Sequence, residues 1–125
     1  MDLAFYKYKQ AVGPLLQALK DKDAKVSGYA ASALRMLGDK RAIVPLIDIL
    51  KNDKSSIARA SAANALRLLG DRRAVDSLIS ALKDKSSEVR GEAAYSLYKI
   101  GDVRAIEPLK QALAIEKDKD ARTAI

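Results

Sequence analysis

Two carboxylates, Glu88 and Glu92, stand four residues apart. That spacing puts both side chains on one face of a helix, and paired carboxylates are a common device of general acid–base chemistry. Little else could join them. The 125 residues contain no His, no Cys and no Trp. Without imidazole or thiolate there is no zinc site of the usual kind, and without His a nucleophilic triad lacks its ordinary base. The two glutamates fall in the early, solvated part of a helical pattern, so they read as surface. The glycines form no phosphate-binding loop. No catalytic residue, metal ligand or cofactor site is expected, and the chain does not read as an enzyme.

Cationic groups are better supplied. Lys and Arg number 23 against 16 Asp and Glu, a formal charge of +7. Arg59, Arg90 and Arg122 recur at matching places, with Ser27 in the first copy. They could bind phosphate, but aspartates lie in the neighbouring turns: Asp21, Asp23, Asp53 and Asp84. Ion pairing is the favoured reading. A reach back to the preceding repeat would explain why the first copy does without its arginine. A second ladder, Arg41, Arg73 and Arg104, follows Asp39, Asp71 and Asp102. The remaining turn lysines alternate with aspartates, and alternating signs mark a solvated edge. Nucleic acid would want a sustained positive face with stacking aromatics.

These ladders exist because the chain repeats. G-D-K-R-A-I-V-P-L-I-D-I-L at 38–50 returns as G-D-R-R-A-V-D-S-L-I-S-A-L at 70–82 and G-D-V-R-A-I-E-P-L-K-Q-A-L at 101–113. A shorter copy, A-V-G-P-L-L-Q-A-L, occupies 11–19. Ala11, Ala42, Ala74 and Ala105 mark a nearly fixed period, which signals stacked units that cannot bury an apolar face alone.

Each unit holds two helical patterns. Ile43, Leu46, Ile47 and Leu50 trace one face of a first helix, repeated as Val12, Leu15, Leu16, Leu19, as Val75, Leu78, Ile79, Leu82 and as Ile106, Leu109, Leu113. The spacing is that of an amphipathic helix. A second helix follows a charged turn and carries Val26, Ala30, Ala33, Leu34 and Leu37, matched by Ala58, Ala62, Ala65, Leu66 and Leu69 and by Val89, Ala93, Ser96, Leu97 and Ile100. Gly38, Gly70 and Gly101 stop the second helices, and Asp39, Asp71 and Asp102 cap the helix that follows. Pro14, Pro45 and Pro108 sit at matching places in the first helices, where Ser77 stands in the third copy. Proline there predicts a kink that the Ser77 copy lacks.

The string G-D-x-R-A-[IV]-x-P-L, followed by a charged turn and V-R-x-x-A-A-x-x-L, resembles the HEAT-like repeats of the phycobilisome-lyase type. The likeness covers roughly residues 9–125. It implies an all-α fold, a right-handed α-α superhelical solenoid of about three and a half helix pairs. The chain is then one domain, 1–125, with a cap at 1–8, repeats at about 9–38, 39–70 and 71–101, and a partial repeat at 102–125. After Leu113 the stretch E-K-D-K-D should turn into the start of another second helix at A-R-T-A-I. Ile106, Leu109 and Leu113 then lack a full partner helix, and either the chain belongs to a longer array or this edge is buried in a homodimer.

The same resemblance implies that second helices line a concave, contact-making surface. Their outward positions differ between copies while the core positions repeat, as an adapted surface on a fixed frame would. Tyr29, Arg35, Asn64, Arg67, Tyr95 and Tyr98 are the candidate partner-binding residues; Tyr and Arg are enriched at binding hot spots. The leading expectation is a non-catalytic scaffold or module for a protein partner with acidic groups. The alternatives are a nucleic-acid-binding module using a basic concave line of Arg35, Arg67 and Lys99, and one subunit of a bilin lyase or isomerase, which rests on the resemblance alone. No apolar run is long enough to span a bilayer and no signal-peptide pattern appears, so a cytoplasmic location is expected.

Overall fold

The computed structural model describes the backbone of residues 3–38 and 40–123, and the side chains of residues 10–23, 25–38, 40 and 42–116. Seven α-helices occupy the described residues: α1 (Leu3–Ala18), α2 (Ala24–Leu37), α3 (Ile43–Asn52), α4 (Ser56–Leu69), α5 (Val75–Ala81), α6 (Ser87–Ile100) and α7 (Ile106–Thr123). No strand is present among these residues. The helices pair as α1 with α2, α3 with α4 and α5 with α6, and the pairs stack into an α-α solenoid.

Local sequence sets each boundary. In the turns inside the pairs, Asp21, Asp53 and Asp84 each accept the backbone N–H two residues ahead, at 2.8, 2.9 and 2.9 Å. Such Asx turns reverse the chain without a partner strand or helix. The residue they hold then caps the second helix: Ser55 Oγ accepts from the Ala58 N–H at 3.3 Å and Ser86 Oγ from that of Val89 at 3.5 Å. Gly38, Gly70 and Gly101 end α2, α4 and α6 in the left-handed region, with φ of 62°, 63° and 73°.

Between pairs the entry differs from a simple cap. A short 3-10 turn precedes each first helix, over Lys40–Ala42, Arg72–Ala74 and Val103–Ala105. Asp71 and Asp102 cap these turns, accepting the Arg73 and Arg104 N–H groups at 2.8 and 2.9 Å; Asp39 lies outside the described residues. The irregular start is common to all three, so proline is not its cause. Pro45 and Pro108 are third residues of α3 and α7, where the missing N–H is one that a first turn leaves unbonded anyway. The helix with Ser77, α5, starts the same way and is the shortest of the set. Gly28 and Gly91 lie inside α2 and α6.

Two expectations at the chain's extremities are corrected. From Leu3 onward the residues of the expected cap are continuous with α1, which therefore carries Pro14 inside it. At the other end α7 runs unbroken to Thr123 with no turn after Leu113. Glu116 stands where Asp84 stands one repeat earlier. Its longer side chain does not close the tight Asx ring, and the turn that Asp makes elsewhere does not form.

The core is aliphatic. Leu19, Leu34, Ile43, Leu46, Leu66, Val75, Leu78, Val89 and Leu97 are buried, with Ala30, Ala31, Ala58, Ala62, Ala63, Ala65 and Ala93 between them. In α3, Ile49 is buried beside Ile43, Leu46 and Leu50, and Ile47 is only half-buried. The second helices pack along one another, α2 on α4 and α4 on α6, whereas the first helices touch each other much less. Alanines at the contacts allow that close approach. One polar bond ties it: the buried Ser96 hydroxyl donates to the Ala63 carbonyl at 3.0 Å.

Candidate functional site

The arginine ladders are engaged in structure. Arg59, buried in α4, donates to both carboxylate oxygens of Asp84 at 2.9 and 3.0 Å and to the Asp53 and Lys54 carbonyls at 2.9 and 3.2 Å. Arg90 pairs with Glu116 and donates to the Asp84 carbonyl at 2.8 Å. Both reach forward to the following repeat, so the expected backward reach is corrected. Asp53 occupies the corresponding junction after the first repeat, and there Lys20 meets it at 3.4 Å. Lys20 thus supplies a cation at the junction where the first repeat carries Ser27 in place of the arginine. Arg122 lies outside the described side chains.

Burial works to raise the Asp84 pKa, yet the hydrogen bonds from Arg59 and from the Ser86 N–H outweigh it and hold the carboxyl below its usual value. At the opposite edge Arg73 forks onto Asp71 at 3.0 and 3.0 Å, and Arg104 onto Asp102 at 3.1 and 2.9 Å. The Arg104 side chain, then its backbone N–H, lower the Asp102 pKa from 3.8 to about 2. Asp71 is depressed further by Arg73. Arg41 is outside the described side chains. These charges are committed to carboxylates of the same chain.

The face of the second helices is different. Arg67, in the last turn of α4, donates to Asn64 Oδ1 and lays its guanidinium over the Tyr95 ring of α6, 4.9 Å from its centroid. Lys99 brings its ammonium to 5.6 Å from the same ring and 5.8 Å from that of Tyr98. Such placements are cation–π contacts. Asn64, Arg67 and Tyr95 are thus one cluster across a repeat junction, and Lys99 joins Tyr98 to it. The Arg67 Nε hydrogen finds no acceptor among the described residues. Tyr29 and Arg35 are exposed on α2; Arg35 stands one repeat before Arg67, whereas Tyr29 aligns with Ser61 and Glu92, and no contact joins either to the cluster among the described residues.

Sequence reading named Lys99 on the basic concave line of the nucleic-acid alternative but not among the six partner-binding residues. The signal was available: four residues after Tyr95, it lies one helical turn along the same face. α2 and α4 carry no Asp or Glu, and α6 carries only Glu88 and Glu92. Glu88 is exposed in the first turn and Glu92 is half-buried. Among the described residues there is no cluster of groups able to hold a metal, and no helix is long and apolar enough to cross a membrane.

A cavity of about 450 Å³ lies at the turns, bounded by Lys51, Asp53, Arg59 and Asp84, and two others lie along α7. One of about 560 Å³ is bounded by Leu82, Pro108, Ala112 and Ile115. Another, of about 460 Å³, is bounded by Ala94, Leu109, Leu113 and Tyr98, the single candidate residue that borders either.

No curated protein matches the sequence. A family model of HEAT repeats matches residues 1–67 and again residues 43–125, overlapping on the helix pair α3–α4. The stacked pairs, their glycine stops and these two matches agree, and the chain belongs to the HEAT repeat family.

Proposed function

We propose that this chain is a non-catalytic protein-binding module whose contact surface is the face of α2, α4 and α6. The observation that carries this reading is the Asn64–Arg67–Tyr95 cluster with Lys99 and Tyr98 beside it. Aromatic and cationic groups are gathered on the face of α4 and α6, at positions that differ between the repeats. HEAT repeats are typical of protein-interaction scaffolds, which supports the same reading. Tyr29, Arg35, Asn64, Arg67, Tyr95 and Tyr98 are its contact residues. Within the family, the G-D-x-R-A-[IV]-x-P-L string supports a place among repeats of the phycobilisome-lyase type.

The test is capture of a partner from cells of the source organism by the whole chain and by variants. Arg67→Ala with Tyr98→Ala should each weaken binding by about 1–2 kcal/mol or more if they are hot spots. Charge reversal at the turn lysines should have a smaller, salt-sensitive effect. Loss of capture through the turn variants, with normal capture by the double Ala variant, would make the basic edge the working surface. A steep fall of log K with log salt would favour nucleic acid.

A further inference from the structure

Ile79 and Leu82, at the end of α5, and Pro108, Ala112 and Ile115, along α7, wall the cavity of about 560 Å³. Small-molecule sites have volumes of about 300–1,000 Å³, mostly apolar walls and a few polar groups that fix the ligand's orientation. The apolar part of this wall is purely aliphatic. Ile115 is 56% exposed, so a body seated in the cavity removes its side chain from water.

Five charged residues share the wall: Lys83, Lys85, Arg90, Asp84 and Glu116. Both carboxylates are taken. Arg59, which is outside this wall, holds the two oxygens of Asp84, and Arg90 pairs with Glu116. Arg90 is itself committed, to that pair and to the Asp84 carbonyl. Lys83 and Lys85 are exposed, and neither side chain makes an ion pair or a hydrogen bond among the described residues. Lys85 acts on Asp84 only through space, the least of the forces on that carboxyl. The charge left over on the wall is therefore that of two ammonium groups.

We infer that this cavity binds a small amphiphile with an apolar body and one anionic head, of which a fatty acid is the simplest example. The aliphatic wall takes the body, and Lys83 and Lys85 take the head. A cationic head would meet uncompensated positive charge. An uncharged head would forgo the charge-assisted hydrogen bonds that an ammonium donates to a carboxylate. None of the six partner-binding residues lines this cavity, so the inference stands apart from the second-helix face.

The experiment titrates the whole chain with decanoate, decanol and decylammonium, each below its micelle-forming concentration, by calorimetry. Decanoate should bind at least about tenfold tighter than decanol, the factor that a hydrogen bond to a charged group contributes, and decylammonium should bind weakest. Lys83→Gln with Lys85→Gln, both exposed, should bring decanoate and decanol to equal affinity. Ile115→Glu places a carboxylate on the wall at an exposed position and should weaken decanoate by at least about tenfold. Ala112→Phe, checked by circular dichroism, fills the space and should weaken decanoate and decanol alike. Binding of none of the three, or equal binding of all three, overturns the inference. So does a preference for decanoate that survives loss of both lysines, and so does decanoate binding unchanged in Ile115→Glu, which would place the acid elsewhere on the surface. Capture of a protein partner should be the same in Ile115→Glu as in the parent, so failure here leaves the second-helix face untouched.

Discussion

Arg59 and Asp84 lie in successive repeats, and the guanidinium of the first holds both carboxylate oxygens of the second. The arginine side chain is 6% exposed and the aspartate 13%. The aspartate also makes the Asx turn that starts its own repeat's second helix. One carboxylate therefore does two things: it reverses the chain locally and fixes where the preceding helix pair sits.

Removing one partner of such a pair is costly, because the other keeps its desolvated charge. Arg59→Met should cost about 3–5 kcal/mol. Asp84→Asn keeps a turn acceptor but loses the charge, and the two changes together should depart from additivity by about 0.5–3 kcal/mol. Arg59→Met with Asp21→Asn should be additive. Urea denaturation of the set checks both statements.

Leu66 and Leu78 are fully buried at the centre of the stack. Leu66→Ala should cost about 2–5 kcal/mol, the range for a cavity in a well-packed core. Repeats in a short array share their interfaces, so several should unfold together in one transition. A melting temperature equal to the parent's would refute the assignment of Leu66 to the core.

Two glycines should respond in opposite directions. Gly70 has φ of 63° and closes α4 through its N–H to the Arg67 and Leu66 carbonyls. Gly70→Ala should destabilise by roughly 1–2 kcal/mol, the cost of a left-handed L-residue. Gly91 is inside α6, with no heavy atom within 4 Å of where a Cβ would be. Gly91→Ala should stabilise by about 0.5–1 kcal/mol through helix propensity. Chemical denaturation midpoints report both signs.

Asp102 has a folded pKa of about 2 against a usual 3.8. A depressed carboxyl pKa stabilises the fold fully above the unfolded value and loses that contribution as pH falls through the folded one. The melting-temperature gap between the parent and Asp102→Asn should therefore be steady above pH 5 and close between about pH 4 and 2. A gap that persists unchanged at pH 2 would show that the Asp102 charge is not its source.

The repeat made most of this legible before any coordinates. Period and apolar spacing located the helix pairs, and Gly38, Gly70 and Gly101 marked their ends. The direction of Arg59 was not legible, because a turn aspartate precedes it and another follows it in sequence, and only packing decides between them. The continuity of α7 was not legible either, because a pattern match on charge reads Glu116 as equivalent to the turn aspartates. Asn64, Arg67 and Tyr95 were individually visible as outward positions, but their mutual contact depends on how far α6 is displaced from α4. Tyr29 and Arg35 have no such neighbour to define them.

The closeness of α4 to α6, set by alanines and by the Ser96 bond to the Ala63 carbonyl, has a mechanical consequence. Successive helix pairs are held more tightly through their second helices than through their first helices. Displacement of one pair against the next is therefore resisted least between first helices, and the contact of Arg67 with Tyr95 belongs to the more closely held layer.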